Sequence, residues 1–272
     1  MAFKDPQTPA APAHSRRQGK PWPARQREWL LLGASFLGLA LLFSIWPGLD
    51  LAVSGFFYQA PGLGTGAGAG AGAGVGVGVG KFVGNQFAAI GWIHETLPWF
   101  GRASALVGLV LLLRTSRPGP IQLRWWRRWL ALGLLMLLGN GLVVNGLLKE
   151  GWGRARPVDV QVFGGPASFS PALLASNQCD SNCSFVSGHA ATGFGLLAVG
   201  MLGPAATRRR WLKVGLLAGL AAGLIRIAQG GHFLSDVLFS GWVMWLCAAL
   251  LREAWLRLRL RRRRADAHQP GI

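Results

Sequence analysis

Six long apolar runs constrain the fold of this 272-residue chain more than any other feature. A bilayer hydrocarbon core of about 30 Å needs roughly 20 mostly apolar residues for one helical crossing. Each run approaches that length and so predicts a transmembrane helix. The predicted spans are 29–46, 98–113, 129–148, 188–206, 211–227 and 233–251. We therefore expect an all-α, polytopic membrane protein with six transmembrane helices.

The composition favours a membrane protein over a soluble or nucleic-acid-binding one. Apolar residues make up 51% of the chain and charged residues only 14%, whereas a soluble globular protein carries about 25% charged residues. The formal net charge is +18, but the basic residues lie in short clusters between the apolar runs. A nucleic-acid binder would spread them over a solvated surface. We therefore expect the lipid bilayer, and no nucleic acid, as a partner.

The basic clusters predict the orientation of the chain, because positively charged loops stay in the cytoplasm. Of the 28 Lys and Arg residues, 22 lie in the two tails and in the second-to-third and fourth-to-fifth connections. These segments share one side of a six-span protein, so both termini are predicted to be cytoplasmic. In a bacterial inner membrane the opposite face is periplasmic. The basic residues left on that outer face are Lys81, Arg102, Lys149, Arg154, Arg156 and Arg226.

Composition also divides the chain into a membrane domain, two tails and one insertion. Residues 1–28 are rich in Pro and Ala and predict a disordered cytoplasmic tail, while 252–272 form a basic cytoplasmic tail. In 62–80 every second residue is Gly, so that segment cannot build a core and predicts a flexible outward loop. The membrane domain is expected over 29–251.

Two of the three cysteines fall in the predicted outward connection between the third and fourth spans. An oxidising compartment would allow Cys179 and Cys183 to form a disulfide there. A metal site is the alternative, but no His lies nearby to complete a zinc set. The sequence favours the disulfide, and Cys247 in the sixth span is expected to pack as an apolar residue.

Three polar stretches at the outer face indicate a site for an anion. The first holds Lys149 and Arg156, a point charge and a bidentate fork that suit phosphate oxygens. Interfacial snorkelling is the alternative, but it would favour the cytoplasmic side. The second is a Ser-Gly-His run at 187–189, where a helix N-terminus offers N–H groups to an anion. By itself that run is more often a helix cap than a binding site.

The third stretch joins the fifth and sixth spans and has the pattern of a catalytic pair. His232 and Asp236 lie four residues apart, on one face of a helix. A carboxylate so placed can orient an imidazole, as in catalytic triads. An acidic residue near membrane depth is also costly unless it is paired or functional. Convergence of these residues with Arg226 on one membrane face favours a catalytic site.

Together the three stretches resemble the signature motifs of the type 2 phosphatidic acid phosphatase (PAP2) family, which shares its site design with vanadium haloperoxidases. The matching residues are Lys149, Arg156 and Pro157 for Lys-x6-Arg-Pro, Ser187, Gly188 and His189 for Pro-Ser-Gly-His, and Arg226, His232 and Asp236 for Ser-Arg-x5-His-x3-Asp. Val186 and Ile225 replace the first Pro and Ser of the last two motifs. The resemblance covers about residues 50–250, and the spacing within each motif is intact.

The resemblance implies a PAP2-type bundle and a phosphatase that uses no metal or cofactor. It implies that His232 attacks phosphorus to form a phosphohistidine, that Asp236 holds its ring, and that His189 acts as general acid and base. The phosphate-binding residues that it implies are Lys149, Arg156, Ser187, Gly188 and Arg226. Arg154 lies off the motif positions and is a candidate substrate contact, whereas His94 matches no motif and is expected to be interfacial.

The expected substrate is a membrane lipid phosphate at the outer leaflet. Phosphatidic acid, phosphatidylglycerophosphate, undecaprenyl pyrophosphate and lipid A are the candidates. The two outward cysteines and the residues around 183–189 resemble bacterial lipid A phosphatases more than the general pattern. A lipid phosphotransferase with the same site, or a non-catalytic transporter or scaffold, is the alternative. The sequence makes no prediction of oligomeric state.

Overall fold

The protein is described here by a computed structural model that covers residues 24–60, 80–114 and 120–267. Its α-helices in chain order are α1 (Ala24–Ile45), α2 (Gly48–Phe56), α3 (Ala88–Leu113), α4 (Pro120–Leu134), α5 (Lys149–Gly151), α6 (Gly188–Phe194), α7 (Ala198–Met201), α8 (Ala205–Ala228) and α9 (Leu234–Ala267). A π-helical segment, Leu135–Leu148, joins α4 to α5, and a 3₁₀ turn, Gly195–Leu197, joins α6 to α7. The two-residue strands β1 (Tyr58–Gln59) and β2 (Lys81–Phe82) pair antiparallel. The all-α prediction is confirmed.

Five helices in the described part of the chain are long and apolar enough to cross a membrane. They are Arg25–Ile45, Ala88–Leu113, Leu123–Gly151, Ala205–Ala228 and Leu234–Arg261. They correspond to the first, second, third, fifth and sixth predicted spans. The count of six spans is therefore not confirmed, because the fourth run does not form one long helix.

The fourth predicted run is instead a broken helical segment over 188–201, made of α6, the 3₁₀ turn and α7. Almost all of its residues are buried inside the protein, whereas only 11% of the apolar window in α1 is buried. Its apolar character therefore serves protein packing and not lipid contact. A Cβ on Gly193 would come within 2.6 Å of the Ala218 carbonyl oxygen, so glycine permits this close approach to α8.

Three observed boundaries differ from the predicted ones. α3 begins at Ala88, ten residues before its predicted start, because residues 88–97 continue the helix beyond the most apolar part of the run. α1 begins at Ala24, inside the predicted disordered tail, and α9 continues through the basic tail to Ala267. Most of the predicted N-terminal tail and nearly all of the Gly-rich loop, residues 1–23 and 61–79, lie outside the described residues.

The connection over 152–187 covers the end of the bundle where α8 ends and α9 begins. It contains two short 3₁₀ helices, Pro157–Asp159 and Gln161–Phe163. Its Val160 and Phe163 form a small apolar cluster with Phe82 and Phe233. Backbone hydrogen bonds also tie it down, including one from the Val158 N–H to the Gly230 carbonyl (3.0 Å). The connection is therefore positioned against the turn that leads into α9.

Candidate active site

The three motif stretches meet at this covered end of the bundle. The Ser187 N–H donates to the Asp236 carbonyl (3.2 Å), which joins the second stretch to the third. The Ser184 N–H donates to the Arg154 carbonyl (2.8 Å), which joins the second to the first. These backbone contacts bring together residues that are 30 and 49 positions apart in the sequence.

His232 lies at the centre of the site and presents one free ring nitrogen. Its side chain is buried, and its Nδ1 lies 2.7 Å from the Ser184 carbonyl oxygen, so Nδ1–H is the donor. Nε2 has no hydrogen-bond partner among the described residues. Burial lowers the pKa of His232 to about 3, although the Asp236 carboxylate raises it in part. The ring is therefore neutral near pH 7, with its lone pair on Nε2.

Asp236 reaches His232 mainly through Ser184. Its Oδ2 is 3.8 Å from the His232 Nδ1, which is too far for a hydrogen bond. That oxygen instead accepts from the Ser184 hydroxyl (2.5 Å) and from the Phe233 N–H (2.8 Å). Ser184 thus contacts His232 with its carbonyl and Asp236 with its hydroxyl. No motif in the sequence drew attention to Ser184.

The other oxygen of Asp236 belongs to a buried ion network around Arg154. The Arg154 guanidinium donates to Asp236 Oδ1 (2.5 Å) and to Asp50 Oδ2 (2.8 Å). The Nε–H donates to the Ser170 carbonyl (2.9 Å), and the guanidinium carbon Cζ lies 4.3 Å from the centre of the Phe233 ring. Arg154 has no exposed surface. The expectation that it contacts substrate is therefore wrong, because all its donors face the protein interior.

Asp50 connects α2 to the start of α9. Its Oδ1 accepts from the Ser235 N–H (2.8 Å) and its Oδ2 from the Ser235 hydroxyl (2.6 Å). Burial raises the pKa of Asp50, and the Arg154 guanidinium opposes that rise. Sequence reasoning did not select Asp50, although an acidic residue beside an apolar run is costly unless it is paired.

The three motif cations retain hydrogen-bond donors that the described residues do not use. Lys149 Nζ donates to Asn182 Oδ1 (2.9 Å), and Arg156 Nη2 donates to the Asn182 carbonyl (2.6 Å). Arg226 Nη1 donates to Gln229 Oε1 (2.7 Å), but its buried Nε has no partner among the described residues. The three positive charges are close enough to interact electrostatically. An anion among them would relieve their mutual repulsion.

The N-terminus of α6 carries the second motif. The Ser187 hydroxyl caps the helix by accepting from the Ala190 N–H (3.4 Å). A Cβ at Gly188 would lie 2.8 Å from Asn145 Oδ1, so a larger residue there would displace the Asn145 side chain. His189 follows directly and is only partly buried. Free N–H groups at a helix N-terminus can bind an anion.

His94 is a site residue that the sequence did not predict. Its Nδ1 lies 2.8 Å from His189 Nε2 and 3.1 Å from Arg226 Nη1, and the two imidazole rings stack at 4.5 Å. The His94 carbonyl is also 3.0 Å from His189 Nε2. The expectation of an interfacial residue is therefore wrong. The early start of α3 places His94 against two motif residues.

A cavity of about 540 Å³ opens beside these groups. Lys149 and His189 line its polar end, while Met136 and Leu137 line an apolar part. Arg102 also borders it, with its guanidinium 4.9 Å from the centre of the Trp99 ring. A cavity that is polar at one end and apolar at the other suits an amphiphile.

Two of the cysteines form a disulfide in a loop that contacts the candidate site. Cys179 and Cys183 form a disulfide in the structure, with their Cα atoms 5.7 Å apart. The loop that they close contains Asn182, the partner of both Lys149 and Arg156. Cys247 is a free thiol on α9 that packs against the apolar core.

The candidate site contains a neutral buried imidazole, a second imidazole and three cations, and it lies at the end of membrane-crossing helices. These groups suit phosphate chemistry in a membrane protein. The PAP2 superfamily profile matches residues 128–259, which include all three motifs. The chain is 33% identical over 214 residues to lipid A 4'-phosphatase of Francisella tularensis subsp. novicida, covering 75% of this chain and 88% of the relative.

The lipid A 4'-phosphatase of Rhizobium leguminosarum is 40% identical over 133 residues, covering 47% of this chain and 53% of that relative. The lipid A 4'-phosphatase of Rhizobium etli is 37% identical over 132 residues, covering 48% and 50%. No solved structure is significantly similar to the chain. The chain belongs to the PAP2 superfamily and is a membrane lipid phosphatase.

Replacing Arg154 with Met should destabilise the protein without touching the cavity. The change leaves Asp50 and Asp236 buried without their cation, which costs about 3–5 kcal/mol. Unfolding in detergent should show this loss, while Lys81→Met, which removes an exposed cation of the same face, should unfold like wild type. A variant of unchanged stability with a raised KM would instead make Arg154 a substrate contact.

Replacing His94 with Ala should slow turnover by removing a hydrogen-bond partner of His189. We expect kcat to fall about three- to tenfold, since one hydrogen bond contributes about 0.5–1.5 kcal/mol. Thr96→Ala is the matched control, because Thr96 is partly exposed on the same helix and its hydroxyl donates only to carbonyls of its own helical turn. Equal kcat values for the two variants would show that the contact with His189 has no role in catalysis.

Proposed function

We propose that this phosphatase removes a phosphate from lipid A through a phosphohistidine at His232. The observation that carries the mechanism is the buried, neutral ring of His232, whose Nε2 has no partner among the described residues. A nitrogen lone pair in that state is an activated nucleophile. The substrate proposal rests on the names of the similar proteins, which are lipid A 4'-phosphatases of Francisella and Rhizobium.

The first chemical step forms a bond from His232 Nε2 to phosphorus and breaks the phosphorus–oxygen bond to the lipid. Burial and the Arg226 charge lower the pKa of His189 to about 3, so the negative charge of the bound phosphate must stabilise its imidazolium; in that form His189 gives a proton to the leaving oxygen as a general acid. The phosphorylated ring becomes positively charged, and the Asp236 carboxylate 3.8 Å away stabilises that charge. The Ser184 carbonyl holds the ring by accepting from Nδ1–H.

The second step transfers the phosphoryl group to water. His189, now neutral, takes a proton from the water as it attacks phosphorus, and His232 Nε2 recovers its lone pair. Lys149, Arg156 and Arg226, with the Ser187 hydroxyl and the Gly188 N–H, hold the phosphoryl oxygens and offset their charge in both transition states. His94 keeps His189 in position through its hydrogen bond.

The cavity supports a lipid as the substrate of this site. Its polar end receives the phosphorylated headgroup near Lys149, while Met136 and Leu137 continue towards the apolar surface of the bundle. Phosphatidic acid, phosphatidylglycerophosphate and undecaprenyl pyrophosphate share this amphiphilic character and are the competing substrates. A phosphotransferase would use the same first step and give the phosphoryl group to a second lipid.

We also propose that the site faces the periplasm from the inner membrane, with both termini in the cytoplasm. The segment 188–201 supports this even number of crossings, because it starts at the site and ends at Met201. Met201 lines a groove with Arg208 and Arg252 at the far end of the bundle. The chain therefore alternates between the two ends, and its basic clusters lie at the end away from the site.

Phosphate release by purified protein in detergent tests the reaction. Wild type should release phosphate from lipid A, while His232→Ala should lose about 10³-fold or more of kcat because the nucleophile is gone. Gln161→Ala, an exposed residue of the covering connection, is the control. Phosphatidic acid, phosphatidylglycerophosphate and undecaprenyl pyrophosphate complete the panel.

The same preparation separates the alternatives. A phosphoenzyme that survives an alkaline quench is expected in wild type and not in His232→Ala. Transfer of label to a second lipid without free phosphate would make the protein a phosphotransferase. Near-normal activity of His232→Ala would overturn the phosphohistidine mechanism.

Reporter fusions test the orientation separately. Alkaline phosphatase inserted within residues 62–80 should be active, because that enzyme folds only in an oxidising compartment, and a fusion after residue 267 should be inactive. An active C-terminal fusion would mean that the termini lie on opposite sides. An inactive fusion within 62–80 would put the site in the cytoplasm.

A further inference from the structure

A second concave surface lies at the end of the bundle away from the candidate active site. Arg27, Arg208, Arg209 and Arg252 line it above an apolar wall that includes Trp245, and its volume is about 310 Å³. We call it the basic recess. None of the PAP2 motif residues contributes to it.

The helices that connect the two sites separate them by about one bilayer thickness. Arg208 lies eighteen residues before Arg226 on α8, which is about 27 Å at 1.5 Å per residue. Arg252 lies sixteen residues after Asp236 on α9. Because the hydrocarbon core is about 30 Å thick, the basic recess lies at the membrane boundary opposite the candidate active site.

The basic recess carries positive charge that the protein does not neutralise. Glu28 is the one acidic residue in its lining, and it is already paired with Arg252 at 2.5 Å. Among the described residues, Arg27, Arg208 and Arg209 form neither an ion pair nor a hydrogen bond. Arg208 is also partly buried, so its charge is incompletely hydrated. These three guanidinium groups would favour an anion with several acceptor oxygens.

An apolar cavity of about 170 Å³ continues from the basic recess between α1, α8 and α9. The two share Leu197, Leu212 and Trp245 as lining residues. The cavity extends along α8 from Leu212 to Leu220, about 12 Å at 1.5 Å per residue. Together they form one continuous surface with a charged head and an apolar track.

Two polar side chains that border the apolar cavity, Ser35 and Trp242, already form hydrogen bonds within the protein. The Ser35 hydroxyl donates to the Leu32 carbonyl (3.0 Å). The indole N–H of Trp242 donates to the same carbonyl (3.0 Å). The cavity therefore offers an occupant mainly apolar contact, which suits an acyl chain more than a sugar or a peptide backbone.

We propose that this surface binds an acidic glycerophospholipid from the leaflet opposite the candidate active site. The lipid phosphate lies among Arg27, Arg208 and Arg209, and one acyl chain lies in the cavity between α1, α8 and α9. Basic recesses between transmembrane helices are a known type of site for acidic headgroups. A soluble anion would leave the apolar track empty, whereas an acidic lipid fills both parts at once.

The lipid also contacts the segment that carries His189. Phe194 and Leu197 line the apolar cavity, and both belong to the helical segment that begins at Gly188. A ligand that binds the folded state stabilises it in proportion to its occupancy. Bound lipid should therefore raise the melting temperature of the protein. This inference does not depend on the proposed reaction.

Native mass spectrometry in detergent, with dioleoyl phosphatidylglycerol as the probe, tests the proposal. The variant Arg208→Ala/Arg209→Ala should bind this lipid at least tenfold more weakly than wild type and lose the rise in melting temperature. The matched control is Arg210→Ala/Lys213→Ala, which removes two exposed charges from the same helix outside the basic recess. The control should bind within twofold of wild type.

Two further arms test the acyl chain. Leu220→Trp fills the apolar cavity and should weaken phosphatidylglycerol binding severalfold. Glycerol phosphate, which has the headgroup but no chains, should not compete at concentrations that saturate the lipid site. Dioleoyl phosphatidylcholine, which has the chains but no net negative charge, should bind weakly and equally to wild type and the two double variants.

Three results would overturn the proposal. Equal losses in the two double variants would reduce the effect to general attraction between charges. Glycerol phosphate that competes as well as the lipid would make the ligand a soluble anion. Equal binding of phosphatidylcholine and phosphatidylglycerol by wild type would remove the role of the arginines. Because the readout is lipid binding, each result is independent of phosphatase activity.

Discussion

The guanidinium of Arg154 lies between the carboxylates of Asp50 and Asp236, completely shielded from solvent. A buried charge without a partner costs several kcal/mol, so the elements that carry these three residues must come together for any of them to be stable. Those elements are α2, the covering connection and the start of α9. The network thereby fixes the relative positions of these elements around the proposed catalytic residues.

The state of His232 follows from that framework. Asp236 uses one oxygen for Arg154 and the other for the Ser184 hydroxyl, and the Ser184 carbonyl accepts from the imidazole. The ring is thus oriented by a neutral backbone group while a carboxylate lies close enough to stabilise positive charge. Burial keeps it unprotonated near pH 7. The Ser184 carbonyl thus orients the His232 ring, whereas burial of the ring lowers its pKa.

The cations at the two ends of α8 lie in different environments. Arg226 at one end of α8 lies among motif residues and retains a buried N–H without a partner in the described structure. Arg208 at the other end of the same helix lies in the basic recess. The broken segment 188–201 links the two ends and packs closely on α8, because its glycines allow backbone contact. Both proposed anion-binding surfaces therefore depend on the packing of one helix.

The sequence by itself determined the all-α membrane fold, five of the long helices and the three motif stretches, because hydrophobic run length and local spacing carry that information. It did not reveal Asp50, Ser184 or His94 as site residues, because their importance comes from contacts with residues 48 to 185 positions away. It also predicted a fourth long helix, since an apolar run looks the same whether lipid or protein covers it. Only the tertiary structure decided which partners bury that segment and which side chains meet around His232.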